Sequence, residues 1–220
     1  MSGSDIPGLL LSWTPYLLGG FAWNIAISLA AMAIGTAAGY MLALGRASRH
    51  TYQQRTAILA TALMRNVPTF VFQFYLVFML PDTVPMPLGL GTVAFPSWLK
   101  ASLALASAVA GLVSDNLGPV LDLEGSERHQ ALMRFALHWS NYLVIIVMAS
   151  STASVIGVSE LVSRCNTVVN ASGTTDMMLW VYLYAMAFFF TFCLCSTRLI
   201  GAISRHVSRR EILDIASRRT

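Results

Sequence analysis

Charge is what this sequence has least of. Asp, Glu, Lys and Arg make up 11% of its 220 residues, against about 25% in an ordinary soluble domain. A soluble bundle needs polar residues along the outer face of every helix. Here the few charges gather in short stretches, which argues against a soluble protein. Cysteine is scarcer still. Cys165, Cys193 and Cys195 form no metal or disulfide framework, and Cys193 and Cys195, two apart, fall on different faces of a helix. We read both as small packing residues. Catalytic signatures are missing as well. The chain has no HExxH, no GxSxG, no Cys-x-x-Cys and no GxxxxGK followed by Ser or Thr, the patterns of zinc, serine, redox and phosphate-loop chemistry. No acid pairs with a base inside an apolar run, so an intramembrane enzyme or a proton relay lacks its groups. If this chain moves a solute uphill on nucleotide energy, another chain must bind the nucleotide.

What the sequence has in abundance is apolar residues, 56% of the whole, with a mean hydropathy of +0.65. Hydropathy windows of about 19 residues place five membrane helices, at about 17–44, 61–80, 101–121, 135–158 and 178–200. A span needs roughly 20 apolar residues, so the expected class is all-α, a polytopic membrane protein forming one domain over residues 1–220. The amino-terminal MSGSDIPG carries no basic stretch, so the first run is expected to stay as a span rather than leave as a secretory signal. That run exceeds the bilayer thickness and should tilt or project. PDTVPMPLGLGTVAFPSW, after the second run, is too rich in Pro and Gly for a membrane helix and reads as an external loop.

The basic residues set the orientation. Arg46, Arg49, Arg55 and Arg65 follow the first run, Arg128 and Arg134 lie between the third and fourth, and Arg198, Arg205, Arg209, Arg210, Arg218 and Arg219 follow the fifth. The opposite side holds only Lys100 and Arg164. The positive-inside rule then expects the amino terminus outside, the carboxyl tail 201–220 in the cytoplasm, and an odd number of spans. The polar stretch SDNLGPVLDLEGSERHQALMRF, residues 114–135, becomes a cytoplasmic loop. The excess positive charge speaks of orientation in lipid, and no nucleic acid is expected.

Gly35 and Gly39 lie four apart amid Ala30, Ala31, Ala33 and Ala38, a small-xxx-small pattern that lets helix backbones approach closely. The contact is either within the subunit or between subunits. The third run is rich in Ala and Ser and should sit inside a bundle, while the fifth, carrying Phe188 to Phe190, should face lipid. Asn24, Gln73, Ser107, Ser114, Asp115, Asn141 and Ser150 to Thr152 are polar at membrane depth, where they either line a path or bond helix to helix. His138 reads as an interface residue.

Two stretches carry a resemblance to a known family. LLGGFAWNIAISLAAMAIGTAAGYMLALGRAS, residues 17–48, is followed by MRNVPTFVFQFYLVFMLP, and ASVIGVSELVSRCNTVV begins at Ala153. They resemble the permease subunits of bacterial ABC importers for polar amino acids, whose fold is similar to that of the methionine importer's membrane subunit. The resemblance implies a type I importer permease in the bacterial inner membrane. It implies as partners a second permease chain (an identical or a different one), cytoplasmic ATPase subunits that hold the ATP and Mg, and a periplasmic solute-binding protein; this chain itself would bind no cofactor and no metal. The matching positions are Arg65, Pro68, Ser154, Gly157 and Glu160. The family's ATPase-coupling loop has its nearest counterpart at Glu127, Arg128, Ala131 and Leu132, without the Gly-Gln and Ala-Ala of the family pattern and shortened by roughly 15 to 20 residues, several helical turns. A permease-like protein that binds or scaffolds a partner without transporting is the second expectation.

Overall fold

The computed structural model describes residues 6–85, 92–173 and 176–217, with residues 84, 85, 93 and 206–217 described by backbone alone. Helix α1 runs Ile6–Arg46, 41 residues, or about 60 Å at 1.5 Å per residue. The run expected from about 17 thus starts earlier. Its added turns are apolar, and Leu9, Leu10, Trp13 and Tyr16 pack against a buried cluster of Leu161, Cys165, Val168 and Val181. That contact, absent from any hydropathy window, stabilises a helix longer than the bilayer is thick.

The span expected at 61–80 is broken. Helix α2, Thr51–Asn66, and helix α3, Thr69–Met79, meet at an angle of 102°. Val67 is extended, with φ −85° and ψ 125°, because the ring of Pro68 disfavours the helical region for the residue before it. Pro68 then opens α3 without an amide hydrogen to satisfy. The segment expected as an external loop pairs as a short antiparallel ribbon, β1 at Thr83–Pro85 with β2 at Thr92–Ala94 and Thr83 opposite Ala94. It is the β structure among the described residues, and the class remains all-α.

Helix α4, Ser97–Leu117, is the centre of the molecule. Its small residues let α1 lie on it: a Cβ placed on Gly35 would meet Val109 Cβ at 2.5 Å and Ala106 O at 2.6 Å, and one on Gly39 would meet Ala110 O at 2.6 Å. The glycine pair therefore serves packing within the chain. The two helices run in the same direction, with Trp23 beside Trp98 at 6.3 Å at one end and Arg46 bonded to Asp115 at the other. Ile27, Met32, Leu105, Val109 and Ile146 are all buried between them and their neighbours.

Residues 114–135, expected as a loop, are largely helical. Helix α4 continues to Leu117, one 3-10 turn covers Pro119–Asp122, and helix α5 occupies Gly125–Ala149. Gly125 takes φ +59°, a conformation only glycine adopts cheaply. The span expected at 135–158 accordingly begins ten residues sooner. It ends in a 3-10 stretch, Ser150–Ile156, closed by left-handed Gly157 at φ +84°. A helix not expected from the sequence, α6 at Leu161–Ser172, follows. Helix α7, Asp176–Ser217, overruns the expected 178–200 at both ends, so the tail starts as helix.

Four stretches are long and apolar enough to cross a membrane, Ile6–Arg46, Ser97–Asp122, Gly125–Ile156 and Asp176–Arg205, and the bent α2–α3 pair makes a fifth if it is one span. The window on α4 is 61% buried and that on α7 only 11%. Helix α4 is the inner helix, as expected, and α7 leaves most of its surface uncovered by the rest of the chain.

Candidate functional site

Polar groups at membrane depth must find partners inside the protein, and here they collect at three places. The first joins α1, the 3-10 stretch after α5 and the start of α6. Asn24 Nδ2 donates to Ser150 Oγ and to Glu160 Oε2, both at 2.9 Å, while Asn24 Oδ1 accepts the Leu161 amide at 3.1 Å. Glu160 also accepts the amides of Val162 and Ser163. It therefore caps α6, where the positive end of the helix dipole favours a carboxylate. All three side chains are fully buried. Burial pushes the Glu160 carboxyl above the usual carboxylate range, against the pull of Asn24 and the two amides. The Ser154 hydroxyl donates to Ser151 O, its carbonyl accepts the Gly157 amide, and exposed Gly157 supplies the turn.

The second place lies at the opposite end of the α1–α4 pair. Asp115 accepts Arg46 at 2.6 Å and Arg65 at 3.2 Å. Beneath them Thr61 and Ser114 share a hydrogen bond of 2.9 Å. Gly111 allows the approach, since a Cβ there would stand 3.3 Å from the Arg65 amide. Arg65 thus ties the end of α2 to α4, one turn before the break at Pro68. The third place is Gln73, fully buried on α3. Its Oε1 accepts Thr152 Oγ1 at 2.7 Å, and its Nε2 has no partner.

Of the remaining candidates, Ser107 bonds to its own helix at Ala104 O, and Asn141 to Leu137 O. Glu127, Arg128 and Leu132 are exposed on the first turns of α5, with Ala131 half-buried beside them. The structure separates these four from the polar knot by the length of α5. Among the described residues no group of three or more His, Cys, Asp or Glu comes together to hold a metal. The Cys165 thiol, buried and near Glu160, is pushed up to about 12 and is no nucleophile.

Two residues escaped sequence reasoning. Lys100, buried at the start of α4, bonds Leu80 O at 2.8 Å and Asp82 at 2.9 Å. It anchors the end of α3 and the ribbon. Arg164 donates to Tyr16 O at 2.7 Å and stacks over the Tyr16 ring at 4.8 Å. A Cβ on Gly19 would meet its guanidinium at 2.5 Å, and one on Gly20 would meet the Leu161 backbone at 2.9 Å. The paired glycines in α1 were the available signal.

No family model and no curated protein matches the sequence. A chain in the crystal structure of an amino acid ABC transporter with histidines matches with a TM-score of 0.75 and 18% identity, over 89% of this chain and 96% of that one. At that identity the likeness is one of fold, and it extends over nearly the whole of both chains. The permease-type fold expected from the sequence is present, in a chain with the helices of a multi-pass membrane protein.

Proposed function

With that fold as premise, we propose that the chain is a membrane-spanning permease subunit of an ABC importer, passing an amino acid across the bacterial inner membrane. The observation that carries this reading is the backbone likeness over almost all of both chains. A second permease chain completes the pathway, a periplasmic binding protein delivers the solute, and a separate ATPase holds the ATP and Mg. Alternating access rocks the two halves about a site near the midplane.

Coupling runs through α5. Glu127, Arg128, Ala131 and Leu132 dock the ATPase, and because α5 is one unbroken helix of 25 residues, a push there travels about 37 Å as a rigid body. It arrives at Ser150, hence at Asn24 and Glu160. A short stiff lever replaces the longer coupling loop of the resembling family. Arg65, Pro68, Ser154, Gly157 and Glu160 shape the two places where the spans bend.

The test is co-purification with an ATPase and uptake into vesicles that depends on a binding protein. Glu127→Ala with Arg128→Ala should lower uptake at least tenfold, about 1.4 kcal/mol of coupling, while leaving melting unchanged. Uptake that survives the double change rejects the docking role. The brevity of the Leu117 to Gly125 connection favours a second reading, a permease-like scaffold without transport. Failure of any ATPase to associate would select it.

A further inference from the structure

Between helices α1 and α7 lies a groove of about 420 Å³ lined by Leu18, Phe21, Tyr184, Phe188, Phe192 and Cys195. Phe21 closes its floor, edge-on to Phe189 at 5.4 Å and to Phe192 at 5.8 Å. On α7 the stripe from Tyr184 to Cys195 extends about 16 Å at 1.5 Å per residue, close to half of the roughly 30 Å hydrocarbon thickness. One leaflet's acyl chain has that length. The same stripe continues, at helical spacing, through Arg198 to Arg205. Gly201 leaves room between them, and Arg205 Nη1 lies 3.7 Å from where its Cβ would stand. Both arginines are exposed, and neither is ion-paired with a described residue.

We propose that this groove binds one anionic phospholipid, an acyl chain lying along Phe188 and Phe192 and the phosphate resting on Arg198 and Arg205. The apolar wall selects hydrocarbon, and two exposed guanidinium groups further along α7, beyond Cys195, select negative charge over a zwitterionic headgroup. Aromatic rings give the chain a rigid bed, and the α7 face has little protein to cover it, being 11% buried. The site stands whether or not the chain transports.

The test is native mass spectrometry of the full chain released from nanodiscs of phosphatidylglycerol or of phosphatidylcholine. Wild type should retain one phosphatidylglycerol and melt higher when it is added. Arg198→Gln with Arg205→Gln, changes at exposed positions, should weaken retention by roughly tenfold or more. Ala187 also lines the groove, and Ala187→Trp, which fills it, should abolish retention. Equal retention of both lipids overturns the headgroup assignment, and adducts unchanged in both variants overturn the site. A photo-crosslinker at Ala187 should acquire lipid mass; capture of a second copy or of another protein would overturn the lipid as occupant.

Discussion

Asn24 is the side chain on which most depends. Replacing it by Leu leaves the Glu160 carboxylate and the Leu161 amide buried and short of a partner, at a cost of about 2–4 kcal/mol. Melting in detergent should fall by several degrees, and an unchanged melting point would show that the knot is incidental. Glu160 adds a pH dependence. Its folded-state pKa is raised from the ordinary 4.5, so its contribution to stability is full below about 4.5 and is lost as pH rises through the higher folded value. Wild type should gain stability as pH falls through that value, and Glu160→Gln should flatten the slope. Asp115→Asn provides the contrast. Its partners Arg46 and Arg65 are 28% and 63% exposed, so screening limits the loss to about 1 kcal/mol or less for the Arg65 pair, with the shorter Arg46 pair accounting for most of what is lost. Each of these side chains stood out in the sequence as polar or matching a motif. Their partnerships did not, because Asn24 and Glu160 meet across 136 positions and no local pattern encodes such a pairing.

The helix contact at Gly35 makes the sharpest prediction at the level of elements. Gly35→Val would drive α1 off α4, where Val109 and Ala106 already stand at 2.5 and 2.6 Å, and should cost about 3 kcal/mol or more, enough to prevent purification of a folded protein. Gly8→Ala, with nothing within 4 Å, should leave melting unchanged or raise it by the helix propensity gained, up to about 1 kcal/mol. The elements legible in the sequence were those that hydropathy governs: the apolar cores of α1, α4, α5 and α7. A hydropathy window averages over residues 61–80 and is blind to a backbone torsion at Val67, so it joined what Pro68 separates. It likewise read the polar start of α5 as loop, although residues 126–134 form mostly exposed first turns of a helix whose later turns are apolar. Helix α6 was invisible because its stability rests on the Glu160 cap and on Leu161, Cys165 and Val168 packed beneath α1.

For the whole molecule, the direction of α1 relative to α4 bears on the number of membrane crossings. Two helices lying side by side in the same sense, Trp23 by Trp98 and Arg46 by Asp115, require the chain to return to its starting side between them. Among the described residues α2 and α3 are the helices between them, so the bent pair is expected to make that return as one span. Helix α5 goes back, since Ser150 at its end meets Asn24. Helix α7 again follows α1, with Tyr184 against Thr14 and Phe188 and Phe192 against Phe21. With the bent pair taken as one span the count is five, and an odd count predicts that Ile6 and Arg205 lie on opposite sides of the membrane. Single cysteines at Asp82 and Ser126, in a variant lacking the native three, should then be labelled from opposite faces of sealed vesicles, Asp82 from the outside. Labelling of both from one face would mean that α2 and α3 turn back without crossing. On that expectation a kink of 102° is no defect in a span: it becomes the return stroke that lets two glycine-matched helices point the same way.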